Sequence, residues 1–157
     1  MKSELQRKLW INNAQKLRPR VLEILRLAMG EDISIHFLDD AESDTFGSAF
    51  WSRARLEHAR TVDSAATGLG MLNPASIDST KKLIYFHSKT AECGAITLGS
   101  LVILSSDVAI RLQQDLGPDF LLMSTDAQFG VCYEESEYAR TMRIWGAHKR
   151  VDPDRNE

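Results

Sequence analysis

Cysteine is scarce in this chain: Cys93 and Cys132 are its two, too few for the dense disulfide framework of a small secreted scaffold. The N-terminus MKSELQRKLW has no apolar core of the signal-peptide kind. No apolar run approaches the roughly 20 residues of a membrane span. The expected setting is therefore a reducing cytoplasm, with thiols and no membrane contact. Phosphate-cradling fingerprints are missing as well, since neither GxGxxG nor GxxxxGK occurs. The glycines of GLG (68–70) and GAITLG (94–99) then read as turns or bulges. His36, His58, His87 and His148 stand apart from one another and from both cysteines, whereas a tetrahedral zinc site draws paired ligands at close spacing. No metal and no cofactor is expected. Internal repeats and low-complexity segments are also lacking.

What is present is enough for a core. With 157 residues, 43% hydrophobic and 26% charged, the chain is the size of one ordinary domain and too apolar to stay disordered. A single α+β domain is expected over 1–150, with VDPDRNE (151–157) as a polar tail. The net charge of −3 hides an asymmetry. Through Arg26 seven basic residues face Glu4 and Glu23, a local +5 that leaves −8 for the rest. Spread around a helix without interleaved stacking aromatics, the basic residues read as a solvated face and not as a nucleic-acid patch.

Leu5, Leu9, Ala14, Leu17, Val21, Ile24, Leu25 and Ala28 recur at the spacing of an amphipathic helix. Ser3 can cap it and Gly30 can stop it, while Pro19 should break or kink it. ISIHFL (33–38) alternates as a strand, and a helix is expected from about Phe46 to Ala65 with Phe46, Phe50, Ala54 and Trp51 inward. Gly68, Gly70, Asn73 and Pro74 mark a connection expected to be a mobile loop. The second half reads as sheet, in LIYFHS (83–88), AITLGSLVIL (95–104), FLLMS (120–124), QFGVCYE (128–134) and YARTMRIW (138–145). Between them SSDVAIRLQQDLGP predicts a helix over about 105–116, with Ser105 or Ser106 as cap, apolar Val108, Ile110, Leu112 and Leu116, and Gly117–Pro118 as stop. Short connections between the last three strands predict a C-terminal antiparallel β-meander. The fold class is α+β: N-terminal helices on a mostly antiparallel sheet, one face of which can meet solvent or a partner.

Two groups of residues carry candidate chemistry. His87, Glu92 and Cys93 are the residue types of a cysteine nucleophile with its base and orienting acid. Their spacing lacks any nucleophile signature, and a strand over 83–88 puts His87 on the face of Leu83 and Tyr85. A strand running into a turn is the alternative. The second group is acidic. Asp39, Asp40, Glu42 and Asp44 crowd six positions, and Glu134, Glu135 and Glu137 gather at a turn of the meander. The acidic run can be a solvated turn that starts the next helix, a surface for a basic partner, or a cation site without EF-hand spacing. Trp51 and Trp145 can each be core residues or binding anchors.

From LIYFHS through the GP-terminated helix to DFLLMSTDAQFGVCYEESEYARTMRIWG, the second half resembles the C-terminal organisation of small bacterial cytosolic immunity proteins, the antitoxins of contact-dependent growth inhibition and related polymorphic-toxin systems. That resemblance implies a non-enzymatic protein that covers the active site of a cognate toxin domain, frequently a basic nuclease. The basic N-terminal segment departs from the acidic surface such proteins often have. On this basis Asp39, Asp40, Glu42, Asp44, Glu134 and Glu135 are the expected partner-binding residues. The alternatives are a small hydrolase using His87, Glu92 and Cys93, and a homodimer joined through an exposed sheet face.

Overall fold

The computed structural model describes residues 3–72, 82–87, 93–99 and 101–146. Helix α1 spans Glu4–Met29 and opens on a capping box: the Gln6 N–H donates to Ser3 Oγ (3.2 Å) and the Ser3 N–H to Gln6 Oε1 (2.8 Å). Of the break or kink expected at Pro19, the break does not occur, since α1 runs through it as one helix. Proline removes one intrahelical hydrogen bond, but Ala14 before it and Val21, Ile24 and Leu25 after it are all buried in one core, so packing holds the helix on both sides. Gly30, at φ 102°, ends it with its N–H on the Arg26 carbonyl (2.8 Å).

Strand β1 (Ile35–Phe37) leads into α2 (Asp40–Ala54), followed by the two-residue β2 (Arg60–Thr61) and the short α3 (Ala65–Leu69). Helix α2 starts and ends earlier than the periodicity suggests. The acidic run is its cap and first turn, because Asp39 and Glu42 form a second capping box and carboxylates are favourable at the positive end of a helix. Gly68 and Gly70 belong to α3 and its end, while Asn73 and Pro74 lie outside the described residues.

Strands β3 (Leu83–His87) and β4 (Ile96–Leu98) follow, then a 3-10 turn over Leu101–Leu104, α4 (Ser106–Leu116), β5 (Phe120–Ser124), β6 (Gly130–Glu135) and β7 (Arg140–Trp145). The second predicted strand is therefore only three residues long, and its LVIL end coils into the 3-10 turn. In α4 it is Ala109 that joins Val108, Leu112 and Leu116 in the core, while Ile110 is exposed. Ser105 caps through its main chain, its carbonyl accepting the Ala109 N–H (2.9 Å).

The seven strands among the described residues form one sheet in the order β1-β4-β3-β5-β6-β7-β2, every pair antiparallel, with the predicted meander as β5-β6-β7. Helices α1, α3 and α4 cover one face, packing on Leu83, Tyr85, Ile96, Leu98, Leu122, Val131, Tyr133 and Met142. The opposite face, the one that can meet solvent or a partner, is covered in part. Phe46, Phe50 and Ala54 of α2 close on Met123, Cys132 and Trp145 there, leaving Ile84, Phe86 and Leu121 only half-covered.

Gly130 shows how tightly the second core is made. It pairs across the sheet with Trp145, and a Cβ on it would lie 2.0 Å from the indole Cζ2. The Trp145 Nε1–H donates to the Ala127 carbonyl (3.1 Å), so the ring has no room to retreat. Gly130→Ala should lower unfolding free energy by about 3 kcal/mol, the upper range for overpacking, as read by urea titration of tryptophan fluorescence. An unchanged midpoint would refute this account of the packing.

Candidate functional site

One side chain sets the frame. Arg18, midway along α1, donates from Nε to the Cys93 carbonyl (3.1 Å) and from Nη2 to the Leu38 carbonyl (3.2 Å). Its guanidinium lies 5.8 Å from the Trp10 ring and 5.1 Å from that of Phe37, within cation–π range. Nearby, the Ala95 N–H donates to Ser43 Oγ of α2 (3.0 Å), and the Leu38 N–H donates to the Ala95 carbonyl (2.8 Å). The end of β1, the start of α2 and the entry to β4 are thus bound to α1.

Beside this junction α2 presents two stripes. Phe46, Phe50 and Ala54 point into the sheet. Asp40, Asp44, Gly47 and Trp51 recur at helical spacing on a neighbouring stripe, and they line a cleft of about 440 Å³ whose other walls are Trp10, Phe46, Phe86 and Leu121. A second cleft of about 400 Å³, between α1 and the start of α2, shares Trp10, Asp40 and Asp44 with it. A third, of about 190 Å³, shares Trp51, Phe86 and Leu121 and reaches Asp119 and Glu134. The three join into a trough along α2, apolar in the middle. Its lining holds the acidic Asp39, Asp40, Asp44, Asp119 and Glu134, the basic Arg7 and Arg18 of α1, and Arg55 at the C-terminal end of α2. The basic groups of α1 stand on one wall and the acidic ones on α2 and at the far end.

Two details of α2 matter here. Trp51 stands edge-on to Phe50, with ring centroids 5.4 Å apart at 90°, so its orientation is held by the core. Gly47 occupies the middle of the helix, where glycine costs about 1 kcal/mol relative to alanine. Among the described residues a Cβ there would meet nothing within 4 Å, so no contact between them demands a glycine.

The six expected contact residues are not one surface. Asp39, Asp40 and Asp44 edge the trough. Glu42 is exposed and bound into the capping box, its N–H donating to Asp39 Oδ1 (2.7 Å). Glu134 lies at the trough's far end, paired with Arg143 Nη1 (2.9 Å). Glu135 falls on the opposite face because side chains alternate along β6, and there it accepts from the Tyr133 hydroxyl (2.9 Å). Trp10, Gly47, Phe86 and Leu121 escaped the sequence reading. The Asp40-Asp44-Gly47-Trp51 spacing was the visible signal for the α2 part.

The alternative triad is not assembled by the described residues. Cys93 has no exposed surface, His87 ends β3 opposite Phe120, and Glu92 lies outside the described residues. Neither cysteine is in a disulfide. Of the two tryptophans weighed as anchors, Trp145 is core at 1% exposure and Trp51 is half-buried at the trough. Among the described residues there is no group of three or more His, Cys, Asp and Glu able to hold a metal ion, and no helix long and apolar enough to cross a membrane.

Known families, curated proteins and solved structures offer no match to this chain. What it does has to be argued from the geometry.

Two predictions follow from burial. Cys93 should react with iodoacetamide only as fast as the protein unfolds, and rapid labelling in the native state would return the thiol to candidate chemistry. Burial pushes the Cys132 thiol up to about 12, with Glu134 adding to the rise and Arg143 opposing it. Burial also raises the Tyr133 hydroxyl to about 12, helped by its hydrogen bond to Glu135. Each holds its proton in the folded state at pH values where the unfolded chain releases it. Their contribution to stability is full below about pH 8.5, the ordinary thiol value, and is lost as pH rises toward about 12. Urea midpoints should therefore fall steadily above pH 9, and a flat profile to pH 11 would contradict the burial of both groups.

Proposed function

We propose that this protein is a cytoplasmic immunity protein, which neutralises a toxin domain, a cationic nuclease in the first instance, by binding it and making or breaking no bond. The observation that carries the proposal is the trough along α2. It is concave and aromatic at its centre, acid-edged along one wall, and built on a helix locked to the sheet by Phe46 and Phe50. Aromatic anchors ringed by complementary charge are the usual anatomy of a protein-binding surface. The layout resemblance of the second half to antitoxins of polymorphic-toxin systems is the ground for taking a toxin domain as the partner. A hydrolase built on Cys93 draws no comparable support, since that sulfur is enclosed and its residue does not line the trough.

The test is binding to, and growth protection against, the toxin-like product of the neighbouring upstream reading frame. Replacing Asp39, Asp40 and Asp44 together by asparagine should slow association about tenfold at low salt and much less at high salt, because these charges act on encounter. Asparagine caps a helix about as well as aspartate, so α2 should survive the change. Failure of the wild-type protein to bind or protect would refute the proposal.

A further inference from the structure

The proposal above leaves open what part of a partner occupies the trough, and Gly47 bears on that question. A glycine in mid-helix weakens the helix, and a close approach to the backbone is one physical reason for it to stand there. Among the described residues nothing makes such an approach: its Cβ position is open space, and its backbone lies outside the left-handed region that favours glycine. The open space is the central cleft, with Asp40 and Asp44 on one side of Gly47 along the stripe and Trp51 on the other. Small residues flanked by anchors are what let two chains approach closely.

We propose that the trough seats a cationic segment of a partner protein, laid along α2 with its chain nearest α2 at Gly47. Basic side chains of the segment lie beside Asp40 and Asp44, and an apolar or guanidinium group lies against Trp51 and Phe86. On the α2 wall Asp39, Asp40 and Asp44 outnumber Arg55, and that excess of negative charge selects a cationic occupant. The protein already places guanidinium groups on aromatic rings on this side, Arg18 between Trp10 and Phe37 and Arg53 5.1 Å from the Trp145 ring. A second copy of the chain fits less well, since Arg7 and Arg18 of α1 already stand on the opposite wall. This inference rests on reading the trough as the binding site.

The experiment uses the whole protein, a twelve-residue peptide repeating alanine, arginine and leucine, and its glutamate counterpart. Amide and indole resonances are followed by NMR. The arginine peptide should shift the Gly47 amide and the Trp10 and Trp51 indoles, and the glutamate peptide should not. Gly47→Ala should raise the melting temperature and weaken the peptide. Gly47→Leu, which fills the cleft, should weaken it at least about tenfold, the scale of one lost close contact, without lowering the melting temperature. Shifts that map elsewhere, equal response to both peptides, or undiminished binding by Gly47→Leu would each overturn the inference. Concentration-dependent self-association abolished by Gly47→Leu would assign the trough to a second copy and overturn it too. If the toxin binds wild type and Gly47→Leu alike, this inference falls and the immunity function stands. If the peptide binds at Gly47 but no toxin is bound or neutralised, the reverse holds.

Discussion

The guanidinium of Arg18 is the constraint on which the arrangement depends. It reaches from α1 to two main-chain carbonyls 55 residues apart in sequence, Leu38 and Cys93, and is sandwiched by aromatic rings. Hydrogen bonds from a charged donor are about twice as strong as neutral ones, and both carbonyls sit where the chain changes direction. Gly94 completes the junction: at φ 96°, its absent Cβ would lie 2.6 Å from the Leu38 carbonyl oxygen. With β1, α2 and β4 bound to α1 at one point, the spacing of α1 and α2, and so the near end of the trough, is set by the fold.

Farther along, the trough exists because α2 is too short and too narrow to cover its face of the sheet. Fifteen residues make a helix about 22 Å long, and its apolar stripe closes on Met123, Cys132 and Trp145. Phe86 and Leu121 are left beside it, half-buried. Phe50 joins the packing to the open surface, lying 5.6 Å from Trp145 on the inner side and 5.4 Å from Trp51 on the other. A rigid core is thereby continuous with the wall of the trough. Such preorganisation reduces the ordering entropy a binding surface loses on association.

The acidic residues divide by position. Asp39 and Glu42 satisfy the first N–H groups of α2 through a capping box, a structural duty that any solvated helix start would show. Asp40 is the first residue of the same helix and Asp44 follows about one turn later, both on its trough side. Glu134 and Glu135 are adjacent in sequence yet lie on opposite faces of β6, one paired with Arg143 and the other with the Tyr133 hydroxyl. Proximity along a strand separates side chains, whereas spacing of three or four along a helix unites them.

Local chemistry alone determined much of this protein. Ser3 and Gly30 bound α1, Gly117 stops α4, short turns make the meander, and Phe46, Phe50 and Ala54 face inward, because caps, breakers and periodicity act over a few residues. Two features were present in the residues but ambiguous. Apolar side chains at every position of 83–86 and 120–123 are compatible with a sheet covered on both faces as well as with the half-open one expected, and Asp40, Asp44, Gly47 and Trp51 shared a helical stripe. Only the tertiary structure decided that α2 lies on the face opposite α1, that packing carries α1 through Pro19, that Cys93 is enclosed, and that Trp10, Phe86 and Leu121 meet α2 in a trough. Those outcomes depend on contacts between residues tens of positions apart, whose energies are settled by packing and which no local pattern encodes.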